Sequence, residues 1–241
     1  MHIRILLTYK ELSRATADMI GDYILKKPDA LVCLASGHTP LGVFECLVQD
    51  VREKKIDISG CTFVGLDEWV GVGPKQDGSC RLLMDQFFFE PLNIPSSKIY
   101  FFDALAKDLQ SEADRINALI DSRNGLDIML VGIGTNGHVA MNEPGTPFTS
   151  VAHISELAEE TKTVGQKYFQ QETPLTKGIT LGLKHFSEAK LPILIANGSK
   201  KTPIIKKTIW SKGGEHIPAS IVQQMPNAFI MLDQEAAADL A

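Results

Sequence analysis

The residues of this 241-residue chain best suited to moving protons fall in one stretch, residues 131–145, VGIGTNGHVAMNEPG. Gly132, Gly134 and Gly137 give the spacing G-x-G-x-x-G after an apolar run. That spacing marks a dinucleotide loop only where it opens a helix. Here Pro144, Gly145 and Pro147 leave little room for one, and the segment lies past mid-chain, so a nicotinamide site is not expected. What remains is an acid–base group. His138 can exchange a proton near neutral pH, and Glu143 can hold its tautomer and orientation. A lone loop histidine would be read as packed by its turn. Asn136, His138 and Glu143 together favour chemistry.

Three further stretches carry polar groups after apolar runs. In Leu66-Asp67-Glu68-Trp69, two carboxylates adjoin in an extended segment, so they point to opposite sides and cannot form a shared dyad. Either one faces a ligand crevice while the other pairs elsewhere, or both are solvated acids. Ala35-Ser36-Gly37-His38-Thr39-Pro40 opens a helix. Its free N–H groups and helix dipole suit a phosphate, or it is a tight turn capped by Thr39. In Ala196-Asn197-Gly198-Ser199-Lys200-Lys201, a lysine at a helix start opposes the dipole, which a bound anion would offset; a solvated lysine is the plainer alternative. The six histidines show no H-x-H or H-x-x-x-H spacing, so neither a metal nor a cofactor is expected.

These loops need a scaffold. Short continuous apolar runs at 30–35, 62–66, 99–102, 127–131, 192–196 and 228–232 read as strands buried on both faces. Amphipathic stretches at 11–25, 41–54, 79–89, 107–122 and 200–210 read as helices, the second with Thr39 as N-cap and Pro40 in its first turn. The alternation predicts an α/β fold: a single doubly wound, mostly parallel, Rossmann-like sheet with helices on both faces, forming one domain over 1–241. Ligands of such sheets sit beyond the carboxyl ends of the strands, where all four loops fall.

Composition limits the partners. A hydrophobic fraction of 44% and a charged fraction of 22% are ordinary for a globular chain. A net charge of −5 argues against nucleic acid, which needs a basic face, but leaves room for a small anion. No apolar run suits a signal peptide or a membrane span, so a cytoplasmic protein without a membrane partner is expected. Cys33, Cys46, Cys61 and Cys80 form no C-x-x-C pair and read as free, mostly buried thiols.

Taken together, the segments 36–40, 66–70 and above all 132–144 resemble the glucosamine-6-phosphate deaminase / 6-phosphogluconolactonase superfamily over nearly the whole chain. After Gly137-His138 the chain continues to Asn142-Glu143-Pro144, as the deaminases do, not to the Ala-Ser-Leu-Phe-Pro-like run of the lactonases. Asn136, His153-Ile154-Ser155 and residues 178–183 look most similar to the galactosamine-6-phosphate deaminase/isomerase branch. The resemblance implies a deaminating aldose–ketose isomerase acting on a 2-amino-2-deoxyhexose 6-phosphate, with galactosamine 6-phosphate ahead of glucosamine 6-phosphate. It implies Asp67 as the base at C2, His138 as the ring-opening group oriented by Glu143, and Asn136 in the place of a usual Asp. Ser36, Gly37, His38, Thr39 and Lys201 would hold the phosphate, Gly132 would offer backbone near the sugar, and Lys167 would be a second basic ligand. The chain lacks Arg and Lys over 149–156, where many bacterial glucosamine enzymes carry a basic allosteric segment, so activation by an N-acetylated sugar phosphate is not expected. Monomer and homo-oligomer both stay open. Two other readings share the resemblance: a hydrolase of sugar-lactone phosphates, and a non-catalytic sugar-phosphate sensor.

Overall fold

The computed structural model describes residues 1–240. A seven-stranded sheet runs in the order β1-β10-β9-β6-β2-β3-β5, and every neighbouring pair is parallel. Its strands are β1 (His2–Leu6), β2 (Leu31–Leu34), β3 (Thr62–Gly65), β5 (Ile99–Tyr100), β6 (Ile128–Val131), β9 (Leu191–Ala196) and β10 (Phe229–Asp233). The six apolar runs are the six inner and right-hand strands, each within two residues of its expected bounds. β1 has no such run because it is an edge strand, largely exposed, with His2 and Arg4 alternating against Ile3 and Ile5.

Residues alternate between the two faces of each strand, so a strand buried on both sides feeds two cores. Val32, Leu34, Ile128 and Leu130 pack under α1 (Tyr9–Lys26) and α2 (Leu41–Arg52). Leu31, Cys33, Met129 and Val131 pack under α4 (Leu109–Ser122), α6 (Leu183–Glu188) and α7 (Thr202–Trp210). No helix among the described residues is long and apolar enough to cross a membrane.

The start of α2 differs from expectation. Its cap position is Pro40, with no side-chain cap bond. Thr39 does not cap; its hydroxyl donates to Asn197 Oδ1 at 2.7 Å. The free N–H of Gly42 instead donates to the Tyr9 hydroxyl at 2.9 Å, which itself donates to the Thr39 carbonyl at 2.9 Å. Tyr9 therefore does the work of a cap from a neighbouring helix, and Thr39 is free to tie the loop after β2 to the loop after β9.

A second, smaller sheet is absent from the sequence reading. β4 (Asp67–Trp69), β8 (Lys177–Thr180) and β7 (His153–Glu156) pair antiparallel with β8 in the middle. They are short and rich in polar residues, so no apolar run announces them. β4 leaves the main sheet after the single residue Leu66, whose carbonyl accepts from Leu181 N at 2.8 Å. α3 (Cys80–Met84) follows, capped by Ser79, and continues into a wider π-helical turn, Asp85–Phe89. α5 (Glu159–Gly165) lies between β7 and β8.

Candidate active site

Connections from β2 run outward to β3 and β5, whereas those from β6 run the other way to β9 and β10. The loops after β2 and β6 therefore part at the centre of the sheet, and a crevice opens between them. A cavity of about 360 Å³ occupies that place. Its walls include Ser36–Thr39, Asp67, His138, Lys201 and the segment around Tyr168.

Asp67 and Glu68 diverge, as residues of an extended strand must. Asp67 is 7% exposed and faces the cavity. Burial, with Glu68 as a like-charged neighbour, pushes its carboxyl up to about 7. Glu68 is 2% exposed and turns away from the cavity. It accepts from Trp69 N at 3.0 Å, Ser79 Oγ at 2.7 Å, Cys80 N at 3.0 Å and Arg81 N at 3.0 Å. Neither carboxylate is a solvated acid at a strand end.

The loop after β6 forms no helix, and the next regular element is β7. Within it, Gly134 N donates to the His138 carbonyl at 2.9 Å. A Cβ on Gly134 would stand 2.3 Å from the His138 ring, so the glycine is required by the imidazole that lies on it. Gly137 has φ +88°, a turn conformation suited to glycine. Asn136 Nδ2 donates to Glu143 Oε2 at 2.9 Å, and Asn136 Oδ1 accepts from His138 N at 3.0 Å. Asn136 thus grips the backbone of His138, not its ring.

The ring has a partner that sequence reasoning missed. Thr161 Oγ1, on α5, lies 3.1 Å from His138 Nδ1, whereas Glu143 Oε2 is 3.7 Å away. Glu143 and Asn136 stand behind the histidine and do not line the cavity. The other oxygen of Glu143 is buried without a partner. Burial pulls the imidazole below its ordinary value, with Glu143 opposing.

The phosphate-type groups gather at the same cavity. Ser36, Gly37, His38, Thr39, Gly132, Lys167 and Lys201 all line it. Lys201 Nζ donates to the Ile133 carbonyl at 2.5 Å, and burial lowers its pKa. Lys201 lies in a single 3-10 turn, Ser199–Lys201, just before α7. Gly132 has open space where a Cβ would be. Lys167 is exposed. His38 stacks on Tyr168, ring centroids 5.0 Å apart. Thr135 hydrogen-bonds Glu160 through its side chain.

Four lining residues had no signal in the sequence: Cys80, Glu160, Thr161 and Tyr168. Three of them come from α5 and the turn after it, an ordinary polar segment, EETKTVGQKYF, whose pattern says nothing of where it folds back. Cys80 reads as a buried thiol, and it is one; all four cysteines are free.

The family model of glucosamine-6-phosphate isomerases/6-phosphogluconolactonase matches residues 7–231. The chain belongs to that family. A glucosamine-6-phosphate deaminase of Lachnoclostridium phytofermentans is 37% identical over 226 residues, covering 93% of this chain and 95% of the relative. One from a Geobacillus species is 34% identical, covering 95% and 91%. Among solved structures, a monomeric glucosamine-6-phosphate deaminase superposes with a TM-score of 0.95 at 32% identity, covering 99% of each chain. The 6-phosphogluconolactonase of Trypanosoma brucei has a TM-score of 0.75 at 20% identity, covering 100% of this chain and 98% of that one. The last likeness is one of fold alone. Both branches of the family share the doubly wound sheet.

Proposed function

We propose that this cavity converts a 2-amino-2-deoxyhexose 6-phosphate and water into a ketose 6-phosphate and ammonia. The observation that carries the reading is the convergence of Asp67 and His138 on one cavity that Lys201 and the Ser36–Thr39 loop also line. The phosphate would take the loop's hydroxyls and N–H groups, with Lys201 exchanging its carbonyl partner for the anion and Lys167 approaching from the exposed side. His138, backed by Thr161, Asn136 and Glu143, would carry a proton at the ring oxygen and open the pyranose. C2–H is acidic only once C1 is an aldehyde. Asp67 would then take that proton, and an enolamine forms. Returning the proton to C1 leaves an imine at C2, and water replaces its nitrogen as ammonia. One carboxylate serves both carbons, and a value near 7 suits it both to accept and to return a proton at neutral pH.

The Asn142-Glu143-Pro144 run and the names of the relatives at 34–37% identity support a deaminase ahead of a lactone hydrolase. Those names put glucosamine 6-phosphate first. Asn136, through the resemblance it carries, keeps galactosamine 6-phosphate as the second substrate to try. A coupled ammonia assay with both epimers tests the reading: ammonia and ketose phosphate should appear in equal amounts from at least one. No ammonia from either, with hydrolysis of a 6-phosphosugar lactone instead, would overturn it.

A further inference from the structure

The reaction above leaves one group beside the phosphate loop without a role. Tyr168 ends the 3-10 turn Gln166–Tyr168, next to Lys167, and lines the cavity. Its ring stacks on His38, centroids 5.0 Å apart and planes inclined by 19°. The stack brings the hydroxyl to the residue before His38: Tyr168 Oη lies 3.4 Å from the place that a Cβ on Gly37 would take. Stacking needs only the ring, which phenylalanine would supply equally. The hydroxyl asks for a separate reason.

The loop beneath it has donors to spare. The backbone N–H groups of Gly37, His38 and Thr39 form no hydrogen bond among the described residues. Unsatisfied N–H groups just before a helix suit an anion, and α2 starts here with no side-chain cap. The Tyr168 hydroxyl likewise donates to no acceptor among the described residues. Burial holds the phenol above its ordinary value, so near neutral pH it keeps its hydrogen. A phosphate oxygen is an ionised acceptor, and a bond to such an acceptor is the stronger kind.

The chain around Tyr168 limits where the ring can go. Phe169 meets Trp69 edge-on, and its ring fills the place that a Cβ on Gly78 would take, 2.4 Å away. Gln170 N donates to Asp77 Oδ2 at 2.8 Å. The residues that follow Tyr168 are thus tied to the loop before α3, while its ring lies on the loop after β2. Tyr168 spans the cavity between the two.

We propose that Tyr168 is a ligand of the substrate's phosphate: its O–H donates to a phosphate oxygen held on the Ser36–Thr39 loop, and its stack on His38 sets that donor in place. The proposal rests on the reading of this loop and Lys201 as the phosphate site. The phosphate takes no part in the bonds that change, so the hydroxyl contributes to binding and not to the chemical step.

Two probes on the full chain test this. One is inorganic phosphate, followed by NMR titration; the other is the amino-sugar phosphate, followed by ammonia release. Tyr168→Phe keeps the ring and removes the donor. It should raise the phosphate dissociation constant and KM together by about tenfold, as for a lost bond to a charged group, with kcat within about twofold of wild type. Tyr168→Leu, which also loses the stack, should weaken phosphate at least as much. Lys201→Ala reports on the site itself. If Lys201→Ala weakens phosphate and Tyr168→Phe does not, the hydroxyl is no ligand; the proposal fails and the phosphate site stands. A loss in Tyr168→Leu alone would likewise overturn it, because the ring would then be only a wall. A higher KM in Tyr168→Phe with unchanged phosphate affinity would place the hydroxyl on the sugar, and that also overturns it. Phosphate binding that neither Lys201→Ala nor Tyr168→Phe alters would remove the site reading, and the proposal with it.

Discussion

Two walls meet over the cavity, one from the β4–α3 region and one from α5 and the turn after it. On the first, Asp67 is held in a strand at 7% exposure, and its neighbour Glu68 collects three hydrogen bonds from the turn opposite and one from Trp69 N of its own strand. On the second, Glu160 and Lys167 are exposed, and α5 has seven residues and no side-chain cap. This wall is fastened by what it touches across the cavity: Thr161 on His138, Glu160 on Thr135, and Tyr168 stacked on His38. Phe169 adds an edge-on contact with Trp69, centroids 6.3 Å apart. The first wall would be rigid without a ligand. The second is attached to the very groups a ligand would engage, so its order depends on the state of the site. A group whose geometry must be preset belongs on the first wall, and groups that admit and enclose belong on the second.

The sharpest test of this contrast is Asp67→Asn. Turnover should fall about 10²-fold or more, the usual contribution of a positioned general base. Substrate binding by calorimetry should survive, because the phosphate groups are untouched. Loss of binding with intact fold would show that Asp67 holds the sugar and is not a preset base.

Gly134→Ala comes next. The new methyl group must displace the His138 ring, and a misplacement of about 1 Å can cost about 10²-fold in rate. The fall should appear in kcat, with thermal stability near wild type. An unchanged kcat would mean that the imidazole position is adjustable and that Gly134 does not preset it.

Lys201→Ala and Lys167→Ala compare the turn before α7 with the second wall. A hydrogen bond to a charged group contributes roughly 1.5–3 kcal/mol, so Lys201→Ala should raise KM by about tenfold or more. Lys167, exposed on the second wall, should cost only a few-fold. Equal effects would mean that the second wall closes fully onto the phosphate.

The smallest effect is on stability. Asp67 ionises near 7 in the folded protein, against 3.8 ordinarily. Between those values the folded state binds more protons than the unfolded one, so its contribution to stability falls as pH rises and levels off above about 7. Asp67→Asn removes the titration. Its melting temperature, relative to wild type, should therefore climb by a few degrees from pH 4 to pH 8. A flat difference would mean that Asp67 is not raised.

Much of the scaffold is legible in the residues because buried parallel strands leave continuous apolar runs. Leu31–Leu34, Ile128–Val131 and Leu191–Ala196 could hardly be anything else. β4 and β7 are hidden because their hydrogen bonds, not their apolar content, make them strands. At the site, Asp67 and His138 stand out by residue type beside a strand end. Thr161 and Tyr168 do not, since their place depends on how a polar segment folds back across the cavity. Thr39 misleads for a related reason: its cap duty passes to Tyr9, thirty residues earlier in the chain.

The contact between Gly134 and His138 reaches beyond this one molecule. The volume a side chain at 134 would need is the volume the imidazole already fills. The two positions therefore cannot change independently over evolutionary time. A descendant that keeps the histidine is bound to keep the glycine four residues before it, and a side chain can enter at 134 only in a lineage that has already given up the ring.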